Sequence, residues 1–319
     1  MSGLLKTKSA GSQFLLLISI ALVSFFVLGL VGTIILSSVT GIDLATLSDP
    51  SKWVGNTDKY VTVIRGLQVI QFFALFVVPC FVCAKLFSTD TKKYLGLQMP
   101  ANGAYFLVGI GLMFISIPLI NFLGEMNRHV QFPSGIEAWM KKSEEEAART
   151  IRVLLSKHTM KDLVLNVIFI AVLAGIGEEL LFRGMVQRLL IKMFKSPWAG
   201  IIISAAIFSA FHLQFYGFLP RFVLGIVLGA MYWYSGSLWV PIIAHFIYDA
   251  LLVILSYYNP EMLGDETSIK LSNIALAASL SFAAVTFLII WMKKRSTVTY
   301  ETVYAKDPTP DNDHPFDFD

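Results

Sequence analysis

Five long stretches without a charged residue constrain this chain more than any other feature of its sequence. They lie between Lys8 and Asp43, Arg65 and Lys85, Lys93 and Glu125, Lys195 and Arg221, and Lys270 and Lys293. The hydrocarbon core of a bilayer is about 30 Å thick and takes roughly 20 apolar residues in a helix. Each stretch is therefore long enough to cross a membrane, which predicts an integral, multi-pass membrane protein.

The composition agrees with this prediction, because charged residues are only 15% of the chain and hydrophobic residues are 55%. A soluble domain has about a quarter of its residues charged. We therefore predict an all-α fold, a polytopic membrane helix bundle of about eight transmembrane helices. The predicted spans are 13–38, 62–86, 103–124, 162–191, 198–216, 218–235, 238–258 and 271–293. The net charge of +3 is small and dispersed, so we expect the lipid bilayer as a partner and no nucleic acid.

The predicted spans and the segments between them divide the chain into three parts. Residues 1–161 hold the first three membrane helices and an extramembrane loop at about 125–161. Residues 162–258 form a core of four predicted helices that holds the candidate site described below, and residues 259–319 hold the last membrane helix and an acidic tail that is predicted to be disordered. In the loop, apolar residues recur at helical spacing, which predicts an amphipathic helix. Such a helix either lies on the membrane or packs on the bundle as a connector.

Lysine and arginine near the span ends predict the orientation, because cytoplasmic loops are enriched in these residues. With a cytoplasmic N-terminus, the inside positions carry Lys6, Lys8, Lys85, Lys92, Lys93, Arg188, Lys192, Lys195, Lys293, Lys294 and Arg295. Both termini are therefore predicted to be cytoplasmic. If the source is bacterial, the membrane is the cell membrane.

Ionisable side chains inside the predicted spans mark the candidate site, since each costs at least ~2.5–3.5 kcal/mol to insert. Six of them fall well inside a span and not near its end: Glu178, Glu179, Arg183, His212, His245 and Asp249. His245 and Asp249 share one helix face, as do Glu179 and Arg183. Glu178 is rotated by about 100° from Glu179, so the two carboxylates cannot serve the same role. We predict that Glu178, His212 and His245 share a pocket, and that Glu179 and Arg183 form an internal salt bridge.

Two kinds of chemistry suit such a pocket. A glutamate held beside a histidine can polarise a water for attack on a peptide carbonyl, with neighbouring groups stabilising the oxyanion and no cofactor required. A glutamate and two histidines are also a zinc-type ligand set, so Glu178, His212 and His245 would bind a divalent metal such as zinc in a metal-dependent enzyme. The chain has no H-E-x-x-H motif, and the sequence leaves the choice open.

Three motifs in this region resemble those of a known family. Glu178-Glu179-Leu-Leu-Phe-Arg183 matches E-E-x-x-x-R, Phe208-Ser-Ala-Phe-His212 matches F-x-x-x-H, and His245-Phe-Ile-Tyr-Asp249 matches H-x-x-x-(N/D). These are the motifs, in order, of the CPBP family, which contains the CAAX prenyl endopeptidases and bacteriocin-processing enzymes. The resemblance covers about residues 162–258, and the first three predicted helices carry no such motif.

The resemblance implies an intramembrane protease in which Glu178 and His212 activate water, while His245 and Asp249 lie on the oxyanion side. Glu179, Arg183 and Phe208 are then supporting residues. An aspartate can donate a hydrogen bond to an oxyanion only when protonated, so we expect Asp249 to orient His245. The implied substrate is a membrane-associated peptide or protein, either prenylated or of leader type.

Two other functions stay open at this stage. The same glutamates and histidines could serve a proton-coupled transporter, although the absence of an internal repeat counts against the inverted-repeat transporter folds. A non-catalytic membrane protein of the bacteriocin-immunity type would also fit the composition. The intact motif residues favour the enzyme.

Overall fold

The structure is a computed structural model that describes residues 2–47, 57–259 and 271–304, and these ranges form an α-helical bundle without a β-strand. Its principal helices are α1 (Ala10–Thr40), α2 (Asp58–Phe87), α3 (Ala104–Arg128), α4 (Ser134–Leu155), α5 (Met160–Phe194), α6 (Pro197–Phe211), α7 (Phe215–Ser235), α8 (Trp239–Tyr258) and α9 (Leu271–Arg295). Three segments have wider, π-helical turns: Phe72–Val77 in α2, and Val167–Val172 and Leu180–Gln187 in α5.

Seven of these helices are long and apolar enough to cross a membrane: α1, α2, α3, α5, α7, α8 and α9. The all-α prediction is confirmed, and about eight membrane helices is close to the observed number. Of the eight predicted spans, the one at α6 is missing from these seven, because α6 has 15 residues and rises only about 22 Å. The predicted fifth span, 198–216, is therefore wrong at its end. The helix stops at Phe211 because Leu213 adopts a left-handed backbone conformation with φ of 54°.

The outward faces of the bundle are apolar. Leu15 and Phe26 on α1 are 65% and 67% exposed, and Leu276 and Phe287 on α9 are 73% and 65% exposed. In water, such large apolar surfaces would be unfavourable, whereas acyl chains contact them without penalty. The chain is thus an integral, multi-pass membrane protein whose outer helices face lipid.

Close packing brings the motif helices together. A Cβ atom on Gly175 of α5 would lie only 3.2 Å from the backbone nitrogen of Phe246 on α8. A Cβ on Gly225 of α7 would lie 2.9 Å from the Cβ of Ala205 on α6. Small residues let helix backbones approach closely within a membrane. These two contacts join α5 to α8 and α6 to α7, the four helices that carry or support the motifs.

The two ends of the described chain lie on the same face of the bundle. The backbone nitrogens of Gly3 and Leu5 donate to the carbonyls of Lys85 and Leu86, at 2.8 and 2.9 Å. The Tyr304 hydroxyl donates to the carbonyl of Arg188, at 2.7 Å. This face carries the basic clusters used to predict orientation.

The predicted amphipathic helix is α4, which follows α3 and leads into the start of α5. Because α5 crosses the bundle before reaching Arg188, α4 lies on the opposite face from the chain ends. Leu154 of α4 is buried against Val61 and Ile64 of α2. The helix therefore packs on the bundle over part of its length. The three-part division of the chain stays a prediction, and the acidic tail from Asp307 lies outside the described residues.

Candidate active site

The two adjacent glutamates of α5 have different surroundings. The Oε1 atom of Glu178 lies 3.9 Å from Nε2 of His212, and these side chains are 18% and 26% exposed. Glu179 is fully buried, and its Oε1 atom accepts a hydrogen bond from Arg183 at 2.8 Å. The sequence-based separation of the two carboxylates agrees with this arrangement, and the predicted Glu179–Arg183 salt bridge is confirmed.

His212 directly follows the last residue of α6. The prediction that it lies inside a helix is therefore wrong, although the helix end orients its ring. Its Nδ1 atom is 2.9 Å from the carbonyl oxygen of Phe208, one turn earlier. A carbonyl can only accept, so Nδ1 carries the proton in this contact. In the neutral ring, Nε2 then presents a lone pair on the side of Glu178.

The aromatic residue four positions before the histidine, Phe208, packs against both Arg183 and His212. Its buried ring contacts the guanidinium group of Arg183 at 4.5 Å from the ring centre. Its centre also lies 5.0 Å from that of His212 and 5.1 Å from that of Phe182, both in edge-to-face geometry. Phe208 thus joins the buried arginine of α5 to the histidine at the end of α6.

Arg183 is one of the largest fully buried side chains in the described part of the molecule. Besides Glu179 and the ring of Phe208, it contacts α7 by donating from Nη2 to the carbonyl of Gly225 at 3.2 Å. A buried charge needs both an opposite charge and hydrogen-bond partners. Arg183 has both, and its contacts link α5 to α6 and to α7.

His245 lies between two carboxylates. Its Nδ1 atom is 3.0 Å from Oε1 of Glu179, and its Nε2 atom is 3.3 Å from Oδ2 of Asp249, one turn along α8. An imidazolium with both nitrogens protonated can donate to both. The sequence pattern paired Glu179 with Arg183 alone. It could not show that the same carboxylate oxygen also reaches His245 on α8.

Sequence reasoning also missed Arg221, near the start of α7. Its guanidinium donates from Nη1 to the backbone oxygen of Gln214 at 2.9 Å, and Nη2 binds the side-chain oxygen of the same residue. Arg221 is also close enough to Glu178 and His212 to interact electrostatically with both. The available signal was that Arg221 is ionisable and lies inside the predicted span 218–235.

The structure brings Glu178 to His212, and His245 to Glu179 and Asp249. Nowhere in the described ranges do three histidine, cysteine or acidic side chains come together as a metal-binding group. Both nitrogens of His245 face carboxylates, so the ligand set of Glu178, His212 and His245 is not assembled here.

Two cavities among the described residues lie away from the motif residues. One, of about 720 Å³, is on the face of the chain ends and is lined in part by Arg188, Tyr232 and Tyr304. The other, of about 880 Å³, is lined in part by Phe81 and Trp239. Neither includes Glu178 or His212. These two residues instead reach the molecular surface through their partly exposed side chains.

Fold and site together define a multi-pass membrane protein with glutamates on α5 and histidines at the end of α6 and on α8. A domain of the family described as type II CAAX prenyl endopeptidase Rce1-like is found at residues 160–251. This range contains every motif residue discussed above. The match supports an intramembrane peptidase in general.

Two curated relatives each match over a part of their length. An uncharacterized protein of Bacillus subtilis (strain 168), YpbD, is 33% identical over 90 residues, which are 27% of this chain and 43% of the relative. An uncharacterized 24.3 kDa protein of Escherichia coli is 29% identical over 100 residues, 29% of this chain and 44% of the relative. The chain thus spans less than half the length of these relatives. No solved structure matches it.

Proposed function

We propose that this protein is an intramembrane endopeptidase that hydrolyses a peptide bond in a membrane-associated peptide or protein, either prenylated or of leader type. The observation that carries the proposal is the pairing of Glu178 with His212, at 3.9 Å and partly exposed, inside an Rce1-like domain. A water that hydrogen bonds to both atoms at about 2.8 Å fits across this separation, because the two links need not be collinear.

In the proposed reaction, this water attacks the carbonyl carbon of the scissile bond. The Glu178 carboxylate takes one proton from the water as its oxygen bonds to that carbon, and the lone pair of His212 Nε2 accepts the other O–H. The carbon–nitrogen bond then breaks, and the leaving amine takes the proton from Glu178. His245, held between Glu179 and Asp249, supplies positive charge beside the oxyanion.

The test is cleavage of a membrane-associated peptide by purified protein, compared with a Glu178→Gln variant. The amide keeps the size of the side chain but cannot take a proton from water, so we expect a folded, inactive protein. Glu145→Gln on α4 is the matched control, because Glu145 is an exposed glutamate outside the site. Full activity of Glu178→Gln would remove the proposed base.

A strong chelator added to the same assay tests the metal-free step. The proposal expects unchanged cleavage. Loss of cleavage that added zinc restores would instead assign Glu178, His212 and His245 to a metal site.

We also propose that both chain ends are cytoplasmic. In support, Leu5 and Tyr304, near the two ends of the described residues, share one face of the bundle with the basic cluster near Lys85 and with Arg188. Reporter fusions at Pro260 and Arg295 should report opposite sides of the membrane. Agreement between the two reporters would contradict the topology.

A further inference from the structure

The segment from the end of α6 through the 3₁₀ turn that opens α7 (Phe215–Gly217), residues 212–217 and here called the connection, is fixed by side chains from three other parts of the fold. It begins with His212, so its conformation sets the position of that ring. Leu213 is in the left-handed region, with φ of 54°, which is unfavourable for a branched side chain. A backbone in this state needs surrounding contacts that hold it.

Arg221 supplies the contacts nearest to His212. It lies in the second turn of α7 and reaches back to Gln214, two residues after His212, where it binds both the backbone oxygen and the side-chain oxygen. The planar guanidinium makes two directed hydrogen bonds at once, which a lysine ammonium cannot reproduce in that geometry. Gly217 leaves room for this group, because a Cβ there would lie 2.5 Å from Nη1 of Arg221.

Two further side chains hold the rest of the connection. The Asn127 side chain of α3 donates to the carbonyl of Phe215, and its oxygen accepts from the backbone nitrogen of Leu219 at 3.3 Å. Glu144 of α4 accepts from the backbone nitrogen of Tyr216 at 3.1 Å. The backbone groups that these two side chains bind are farther along the chain from His212 than Gln214, the residue that Arg221 binds.

We propose that Arg221 is a positioning residue: by binding Gln214 it fixes the connection that follows His212 and so keeps Nε2 of His212 directed at Glu178. The inference rests on the proposed function, because the value of that orientation is the activation of water. The inference predicts that weakening the two hydrogen bonds from Arg221 to Gln214 slows the chemical step without weakening substrate binding.

The variant is Arg221→Lys in the full-length protein, assayed for both kcat and KM. Small misplacements of a catalytic group can cost about 10²-fold, so we expect kcat to fall by about 10–100-fold with KM nearly unchanged. A higher KM with an unchanged kcat would overturn the proposal, because Arg221 would then bind substrate directly. Unchanged kcat and KM would overturn it as well.

Arg65→Lys is the matched control for general destabilisation. Arg65 is a partly buried arginine in α2 that donates to Asp162 at 3.0 Å and to Asn166 at 2.8 Å, away from the motif residues. We expect it to lower the unfolding temperature while kcat of the folded fraction stays unchanged. An equal loss of kcat in both variants would indicate a structural role for Arg221.

A measurement that does not depend on activity tests this inference separately from the proposed function. Modification of histidines by diethyl pyrocarbonate, followed by mass spectrometry, should be faster at His212 in Arg221→Lys than in the unmodified sequence. His129, which follows the end of α3, should react at the same rate in both. A protein that cleaves no peptide but shows this change would contradict only the proposed function. An unchanged rate at His212 would contradict the positioning role.

Discussion

The two halves of the site differ in burial and in how directly their groups touch. Glu178 and His212 are partly exposed and 3.9 Å apart, farther than a hydrogen bond. Glu179, Arg183 and His245 are buried and joined by contacts of 2.8 and 3.0 Å. The first pair leaves space for a water or substrate atom between its members. In the second group, one oxygen of Glu179 contacts both Arg183 and His245, as in a structural network of buried charges.

This difference teaches that adjacent residues on one helix can serve separate tasks. In α5, the carboxylate of Glu178 belongs to the partly exposed half of the site with His212, here called the open half. The carboxylate of Glu179 belongs to the buried half with Arg183 and His245, here called the closed half. A substitution of Glu178 or His212 should therefore affect turnover, and a substitution of Glu179 or Arg183 should affect stability first.

The largest expected effect is in the open half. Glu178→Gln and His212→Gln should each lower kcat by about 10⁴-fold, the upper range for general base catalysis. The double variant should be hardly worse than either single one, because residues that act on one water form a unit. Kinetics of all three proteins measure this. Additive losses would indicate that the two residues act at different steps.

The next effect is in the closed half. Glu179→Gln removes the charge that faces both Arg183 and His245, and loss of one partner from a buried ion pair costs about 3–5 kcal/mol. We expect a lower unfolding temperature and a poor yield, with kcat of the folded fraction reduced less than in Glu178→Gln. A stable but inactive Glu179→Gln protein would place Glu179 in the chemistry.

A smaller effect should come from the packing that supports both halves. Gly225→Ala would place a Cβ 2.9 Å from that of Ala205 and 3.1 Å from its Cα atom. Since a backbone atom cannot move away as a flexible side chain can, we expect a loss of about 1–3 kcal/mol in stability. Thermal unfolding in detergent measures it, with Gly111→Ala as the control because a Cβ there meets nothing within 4 Å. Equal unfolding temperatures for the two variants would contradict the close contact.

The smallest effect should be that of Asp249→Asn. Its oxygen can still accept from His245, so the orientation of the ring is kept and only the charge is lost. We expect kcat to change by about tenfold or less, which corresponds to about 1.4 kcal/mol. A loss as large as that of Glu178→Gln would show that the charge of Asp249 takes part in the reaction.

Much of the fold could be predicted from the sequence, because uncharged stretches of sufficient length specify membrane helices almost directly. Each predicted span contains a helix of similar extent. The end of α6 could not be predicted, since nothing in the pattern marks Leu213 as left-handed. The apolar run continues through Phe215 and Phe218, so the hydropathy signal does not end where the helix does.

The candidate site was predictable as a set of residues but not as a network. Helical spacing gave the pairs within one helix, such as Glu179 with Arg183. Contacts between helices depend on rotation and depth, which spacing does not give. The structure was therefore needed to find the contact of His245 with Glu179 and the hydrogen bonds from Arg221 to Gln214. The catalytic assignments themselves stay predictions for the kinetic tests above.

The shared face of the two chain ends has a practical consequence for joining copies of this protein. Because Leu5 and Tyr304 lie on one face of the bundle, a linker that joins Tyr304 of one copy to the start of the next would not need to cross the bilayer. A tandem fusion could therefore carry one unmodified copy and one Glu178→Gln copy in a fixed one-to-one ratio. Half the activity of an unmodified tandem would show that each copy works alone, whereas a larger loss would show that the copies depend on each other.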